Sequence, residues 1–281
     1  MLLIHDGRTR PSARRTVRLT SILALAAVFA VGGLATRPIT AEAAGRKVVI
    51  VVGPAGSSTA NYILNARKLA AQARSYGAAV DEIYSPNATW ARVLSVAQGA
   101  SLFIYLGHGN GWPSPYPPFA LTGKDGIGLN ATAGRGNYNV KYWGEYYIDH
   151  YINLAPHAVV ILNRLCYASG DSEWGRANPT RAVAIQRVDN YGAGFWRANA
   201  KAVFAEGISS ASYVLYGLFK TNKTMADIFW SAPSATRTYS FGFPSLRSVG
   251  ASALMDPYAP SRYYRSVVGL LSMTAATWRA G

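Results

Sequence analysis

Apolar and polar positions along the chain fall into short, nearly continuous apolar runs and longer stretches with helical spacing. The runs RKVVIVV (46–52), LFIYL (102–106), AVVIL (158–162) and AVFAE (202–206) are rich in β-branched, aliphatic and aromatic residues. Runs of that kind predict strands buried on both faces, as inside a parallel sheet. AVDEIY (79–84) instead alternates apolar and acidic residues, which suits a half-exposed strand. Between the runs lie predicted helices at 59–76, 88–97, 145–154, 180–200, 210–218 and 224–230. In the first, Ile63, Leu64, Ala66, Ala70 and Ala73 make an inner face, Thr59 is placed to cap and Gly77 to stop it. Gly192 and Gly194 mark a break in the 180–200 helix. The opening order βαβαβ is the pattern of a doubly wound parallel sheet. A further strand is predicted near 264–270.

The pattern dissolves from 110 to 143. Trp112-Pro113-Ser114-Pro115-Tyr116-Pro117-Pro118-Phe119 can continue neither helix nor strand, and a glycine- and asparagine-rich stretch follows. A loop longer than about 15 residues in a compact domain is usually functional or mobile. This one leaves directly from His108, so it reads as a wall or lid of a site. Its rings, Trp112 first, are placed either to line a pocket and touch substrate or to pin the loop to the body.

Two of the apolar runs deliver chemistry. LFIYL leads into Gly107-His108-Gly109, and AVVIL leads through Asn163-Arg164-Leu165 to Cys166, the single cysteine of 281 residues. In open α/β sheets ligands bind beyond the carboxyl ends of the strands. Neighbouring strands lie about 4.8 Å apart, so adjacent strands bring an imidazole and a thiol close together. One helix between them fits a right-handed crossover joining neighbours. A thiolate is a strong nucleophile and an imidazole its usual base. Gly109 and Cys166 can offer backbone N–H groups to a carbonyl oxygen as an oxyanion hole. The other reading of a lone cysteine is a small buried hydrophobe. The glycine-rich turn 53–59 lacks the lysine of a phosphate loop and reads as a plain βα turn. His150 and His157 have no metal-ligand spacing; no metal or cofactor is expected.

Composition adds location and charge. Residues 1–43 carry an arginine-rich start, the apolar run 19–35 and Ala41-Glu42-Ala43, the three regions of a secretory signal peptide. An uncleaved membrane anchor is the alternative. The run of 17 residues is short for a spanning helix of about 20, so no membrane span is expected in the mature chain. A secreted or cell-envelope location follows. The whole chain has 28 basic and 13 acidic residues; without the six arginines and two acids of 1–43, 22 and 11 remain, net +11. That charge suits anionic cell-envelope polymers as partners. No basic cluster or recognition motif points to nucleic acid. The expected organisation is a leader at 1–43, an α/β domain at 44–230 with the 110–143 insertion, and a C-terminal extension at 231–281 packed on the same domain.

Phe103-Ile104-Tyr105-Leu106-Gly107-His108-Gly109 and Val159-Val160-Ile161-Leu162-Asn163-Arg164-Leu165-Cys166, 58 residues from His to Cys, resemble the paired blocks of the caspase/gingipain/metacaspase group of cysteine peptidases. The likeness runs over roughly 48–230. It implies a three-layer α/β sandwich with a mostly parallel sheet in strand order 2-1-3-4-5. It further implies a peptide or protein substrate, Cys166 as nucleophile and His108 as general base. Arg164-Leu165 stands where caspases carry Gln-Ala, and the glycine after the cysteine comes only at Gly170. Asp171 and Glu173 are candidates to face a basic P1 side chain, as relatives outside the caspases prefer; Glu206 is a further candidate. Surface acids or a helix cap are the plainer roles for the first two. The competing functional reading is a non-catalytic caspase-like binding module at the cell envelope. The same dyad could also run another acyl transfer, such as transpeptidation.

Overall fold

The four apolar runs become inner strands of one sheet. β1 (Lys47–Val52), β3 (Leu102–Leu106), β6 (Ala158–Asn163) and β7 (Ala200–Glu206) lie parallel side by side, with β2 (Ala79–Tyr84) parallel on the outer side of β1. The computed structural model describes residues 45–281, so the signal-peptide reading of 1–43 lies outside the described residues. Every residue of β3 and β6 is buried, whereas β2 keeps exposed positions. That contrast follows from composition: unbroken apolar runs need cover on both faces, and the acidic alternation of β2 needs water on one side.

The sheet continues beyond β7 with β10 (Arg265–Gly269), β9 (Ser252–Met255) and β8 (Phe241–Pro244), all antiparallel to their neighbours. The full order is β2-β1-β3-β6-β7-β10-β9-β8. Among the parallel strands this is the order 2-1-3-4-5, and the architecture is α/β with a mostly parallel sheet between helices. Residues 231–281 thus supply three strands of the same sheet. β8 and β9 have four residues each, too few for a periodic signal in the sequence. β4 (Ile127–Asn130) and β5 (Val140–Trp143) form a separate antiparallel hairpin inside the segment read as structureless.

Alternation along each strand divides the core in two. Val49, Val51, Phe103, Tyr105, Val160 and Leu162 pack on one face under α2 (Trp90–Ala97), α3 (Glu145–Tyr151) and α4 (Arg181–Arg197), with α1 (Thr59–Ser75) on the other side. Val48, Ile50, Ile104, Val159 and Ile161 pack on that other face, under α1 together with α5 (Ser212–Lys220), α6 (Met225–Trp230) and α7 (Ala275–Ala280). Each such aliphatic side chain contributes about 1.5–3 kcal/mol by leaving water. α4 runs unbroken through Gly192 and Gly194, contrary to the predicted interruption. Its glycines serve packing: a Cβ at 192 would lie 2.6 Å from Val268, and one at 194 would lie 3.1 Å from Glu145. Among the described residues no helix is long and apolar enough to cross a membrane.

Candidate active site

β3 and β6 run parallel in register, with Leu106 opposite Asn163. The segments that follow, 107–109 and 164–166, therefore emerge at one sheet edge. The Tyr105 hydroxyl fixes the first: it lies 2.6 Å from the Gly128 carbonyl and 3.1 Å from the His108 carbonyl. Its approach requires glycine at 107, where φ is +154° and a Cβ would stand 2.3 Å from the hydroxyl. The Gly-His-Gly sequence is in this sense the cost of bracing the histidine backbone from below.

The second segment turns sharply. Asn163 Nδ2 donates to the carbonyls of Glu206 (2.9 Å) and Ser209 (2.8 Å), and Arg164 N–H donates to Glu206 O at 2.8 Å. Arg164 and Tyr167 then adopt left-handed backbone, φ +63° and +70°. Neither residue type favours that region. Two strained residues thus stand on either side of Cys166, where the chain leaves the strand. Gly109 meets this turn directly: a Cβ there would be 2.4 Å from the Cys166 carbonyl oxygen and 2.5 Å from the Tyr191 hydroxyl. Tyr191, buried on α4, places that hydroxyl 3.4 Å from the same carbonyl. The two segments are therefore in backbone contact at the point where the chemistry sits.

Cys166 is half-buried and lines a cavity of about 750 Å³ with Tyr62, Arg164, Asp171, Glu173 and Arg262. Burial, then the carboxylates of Glu173 and Asp171, push its thiol up to about 11. His108 is exposed, but the loops beside it strip enough water to lower its pKa, with Glu173 pulling the other way. At neutral pH both groups rest uncharged, and no hydrogen bond joins them among the described residues.

The remaining candidates separate. Asp171 lines the cavity, is buried, and accepts the Ser172 N–H at 2.9 Å; burial raises its pKa. Glu173 lines it too, but accepts from Arg176 Nε at 3.0 Å and from the Tyr116 hydroxyl. Trp112 is absent from the cavity lining and packs within its own loop against Phe119, ring centres 5.7 Å apart. Glu206 is buried in an ion cluster, 3.0 Å from Arg265 Nε, with Arg265 reaching Asp256 at 2.6 Å; this corrects its reading as a pocket residue. His150 Nδ1 lies 2.9 Å from the Tyr146 carbonyl. Among the described residues no group of three acidic, histidine or cysteine side chains could hold a metal ion. Sequence reasoning missed Arg176, Arg262 and Tyr191; apart from the Glu173–Arg176 pair three residues apart, the partners that place them lie 25 to 84 residues away, a spacing without a local signature.

No family model matches this chain, and no curated protein does. Among solved structures it is similar to the Arg-specific cysteine proteinase gingipain R, at 12% identity and TM-score 0.34, over 85% of this chain and 64% of that one. At that level nothing of gingipain R's specificity transfers here.

Proposed function

We infer that the chain is a secreted cysteine peptidase with Cys166 as nucleophile and His108 as general base. The observation that carries this is the contact of Gly109 with the Cys166 turn at the ends of neighbouring parallel strands, beside a cavity large enough for a substrate side chain. The resting state suits general-base chemistry better than a preformed ion pair, because a neutral imidazole can accept a proton and the thiol still holds one. As sulfur attacks the peptide carbonyl, the thiol proton passes to His108. The N–H groups of Gly109 and Cys166 take the oxyanion. The imidazolium then gives its proton to the leaving amine, and water hydrolyses the thioester. Asp171 is the cavity's acid without a basic partner at bonding distance and would face a basic P1 side chain; Arg262 and Arg187 are the cations that act on its carboxyl.

The test is hydrolysis of peptides with Arg, Lys or Asp at P1. His108→Ala should lower kcat/KM by about 10²–10⁴-fold and Cys166→Ala should abolish turnover. Because the base must be neutral, the rate should rise as pH passes upward through the lowered His108 pKa. Absence of turnover in all peptides, with Cys166 alkylation unchanged by His108→Ala, would remove this reading. The high thiol pKa and the missing His–Cys hydrogen bond would then favour the second one, a non-catalytic module binding anionic envelope polymers.

A further inference from the structure

Tyr116 belongs to the loop that leaves β3, and Glu173 and Arg176 to the loop that leaves the Cys166 turn. The three form a closed triangle between these loops. The Tyr116 hydroxyl donates to Glu173 Oε1, Arg176 Nε donates to the same oxygen at 3.0 Å, and Arg176 Nη2 donates to the Tyr116 hydroxyl at 2.9 Å. The guanidinium also lies over the Tyr116 ring, 5.5 Å from its centre.

The position of this triangle matters more than its strength. The cavity is lined by Cys166, Glu173 and Arg176, and its lining reaches neither His108 nor Tyr116. Glu173 is nevertheless close enough to influence both His108 and Cys166. The clamp therefore ties the loop that follows His108 to the loop that follows Cys166, at the cavity wall that Glu173 and Arg176 form, so space between the two loops opens only when it is released. An acyl group held by Cys166 and served by His108 needs that space.

We propose that the Tyr116–Glu173–Arg176 clamp is an autoinhibitory latch, closed in the resting protein, whose release joins the Cys166 cavity to His108. Its parts fit a latch. Tyr116 is 43% exposed and the Glu173–Arg176 pair is solvent-facing, so the contacts are screened and cheap to break. A substrate that inserts between the two loops needs only a modest preference for the open state to shift the population. This inference rests on the peptidase reading for its biological meaning, but not for its test.

The test is the rate of Cys166 alkylation by iodoacetamide at pH 7.5 in the full chain, with Tyr116→Phe, Arg176→Ala and Glu173→Gln. Tyr116→Phe removes only a hydroxyl and leaves every charge in place. It should speed alkylation about two- to five-fold, the range open to an exposed hydrogen-bonded pair, and Arg176→Ala should do likewise. Acceleration by Glu173→Gln alone would mean that the carboxylate acts only through its charge, and would overturn the latch. No acceleration in any variant would overturn it too. Adding His108→Ala to Tyr116→Phe separates the two readings. If the gain disappears, latch and dyad both stand. If the gain persists, the latch shields the thiol but the dyad fails.

Discussion

The loop after β3 and the loop after β6 leave the same sheet edge, yet the first is built around a buried polar centre of its own and the second lies largely exposed. Residues 110–126 close around a buried lysine. Lys124 Nζ reaches Asn110 Oδ1 at 2.9 Å, Ser114 Oγ at 3.2 Å and the Tyr116 carbonyl at 2.6 Å. Asp125 beside it accepts the Trp112 N–H at 2.8 Å. In the loop after Cys166, residues 174–178 are exposed, and its anchors come from other elements: Arg187 of α4 to Ser172 Oγ at 3.1 Å, Arg262 to Asn178 at 3.1 Å, and the clamp to Tyr116. The loop on the base side is held both by its own lysine and by Arg187 and Asn190 of α4, which donate to the Pro113 and Trp112 carbonyls at 2.7 and 2.8 Å, while the loop beyond the nucleophile has no buried centre and relies on those outside anchors and the Glu173–Arg176 pair. With residues 174–178 exposed, the second loop is the easier of the two to displace.

Lys124→Met is the strongest way to break this contrast. It leaves three oxygens without their donor and should cost about 2–4 kcal/mol of stability, read as a lower urea midpoint with loss of order in 110–126. A change below about 1 kcal/mol would show that the lysine does not organise the loop.

Asp125→Asn sharpens the contrast through pH. Burial raises the Asp125 carboxyl from 3.8 to about 7, and its Oδ2 is buried without a partner. With the folded pKa above the unfolded one, its favourable contribution is complete below the unfolded value near 3.8 and is lost as pH rises through about 7. The variant should match the wild type near pH 4 and be more stable by about 1–3 kcal/mol at pH 8. Equal unfolding curves at both pH values would mean that the carboxyl is not held in its neutral form.

Trp174→Ala marks the small end. The ring is 95% exposed, so stability should stay within about 0.5 kcal/mol. A larger loss in thermal unfolding would mean that the second loop carries structure of its own.

Much of this frame was legible in the chain because burial on both faces demands unbroken apolar residues. Val48–Val52, Leu102–Leu106 and Ala158–Leu162 announce inner strands, and their order places His108 and Cys166 at one edge. The β4–β5 hairpin escaped because IGLN and VKYW are too short to show a period and lie between glycines. Gly192 and Gly194 misled because a helix tolerates glycine where a neighbour needs the room, here Val268 and Glu145. Tyr116 and Glu173 looked like separate pocket residues; only the fold closes the 57-residue gap between them. Local patterns report a residue's own element, and a site assembled across elements leaves little trace in them.

The two outer strands of the sheet have a consequence for how the protein behaves at high concentration. An open sheet ends in unpaired backbone groups that can template a strand from another copy. At one border β2 carries Asp81 and Glu82, with Glu82 held by Arg74 at 2.6 Å. At the other, β8 has four residues and finishes in Pro244, which has no N–H to give. One margin repels by charge and the other is short and lacks a donor. Edge-to-edge polymerisation is thus discouraged on both sides, and an eight-stranded sheet can stay open without growing into a fibre.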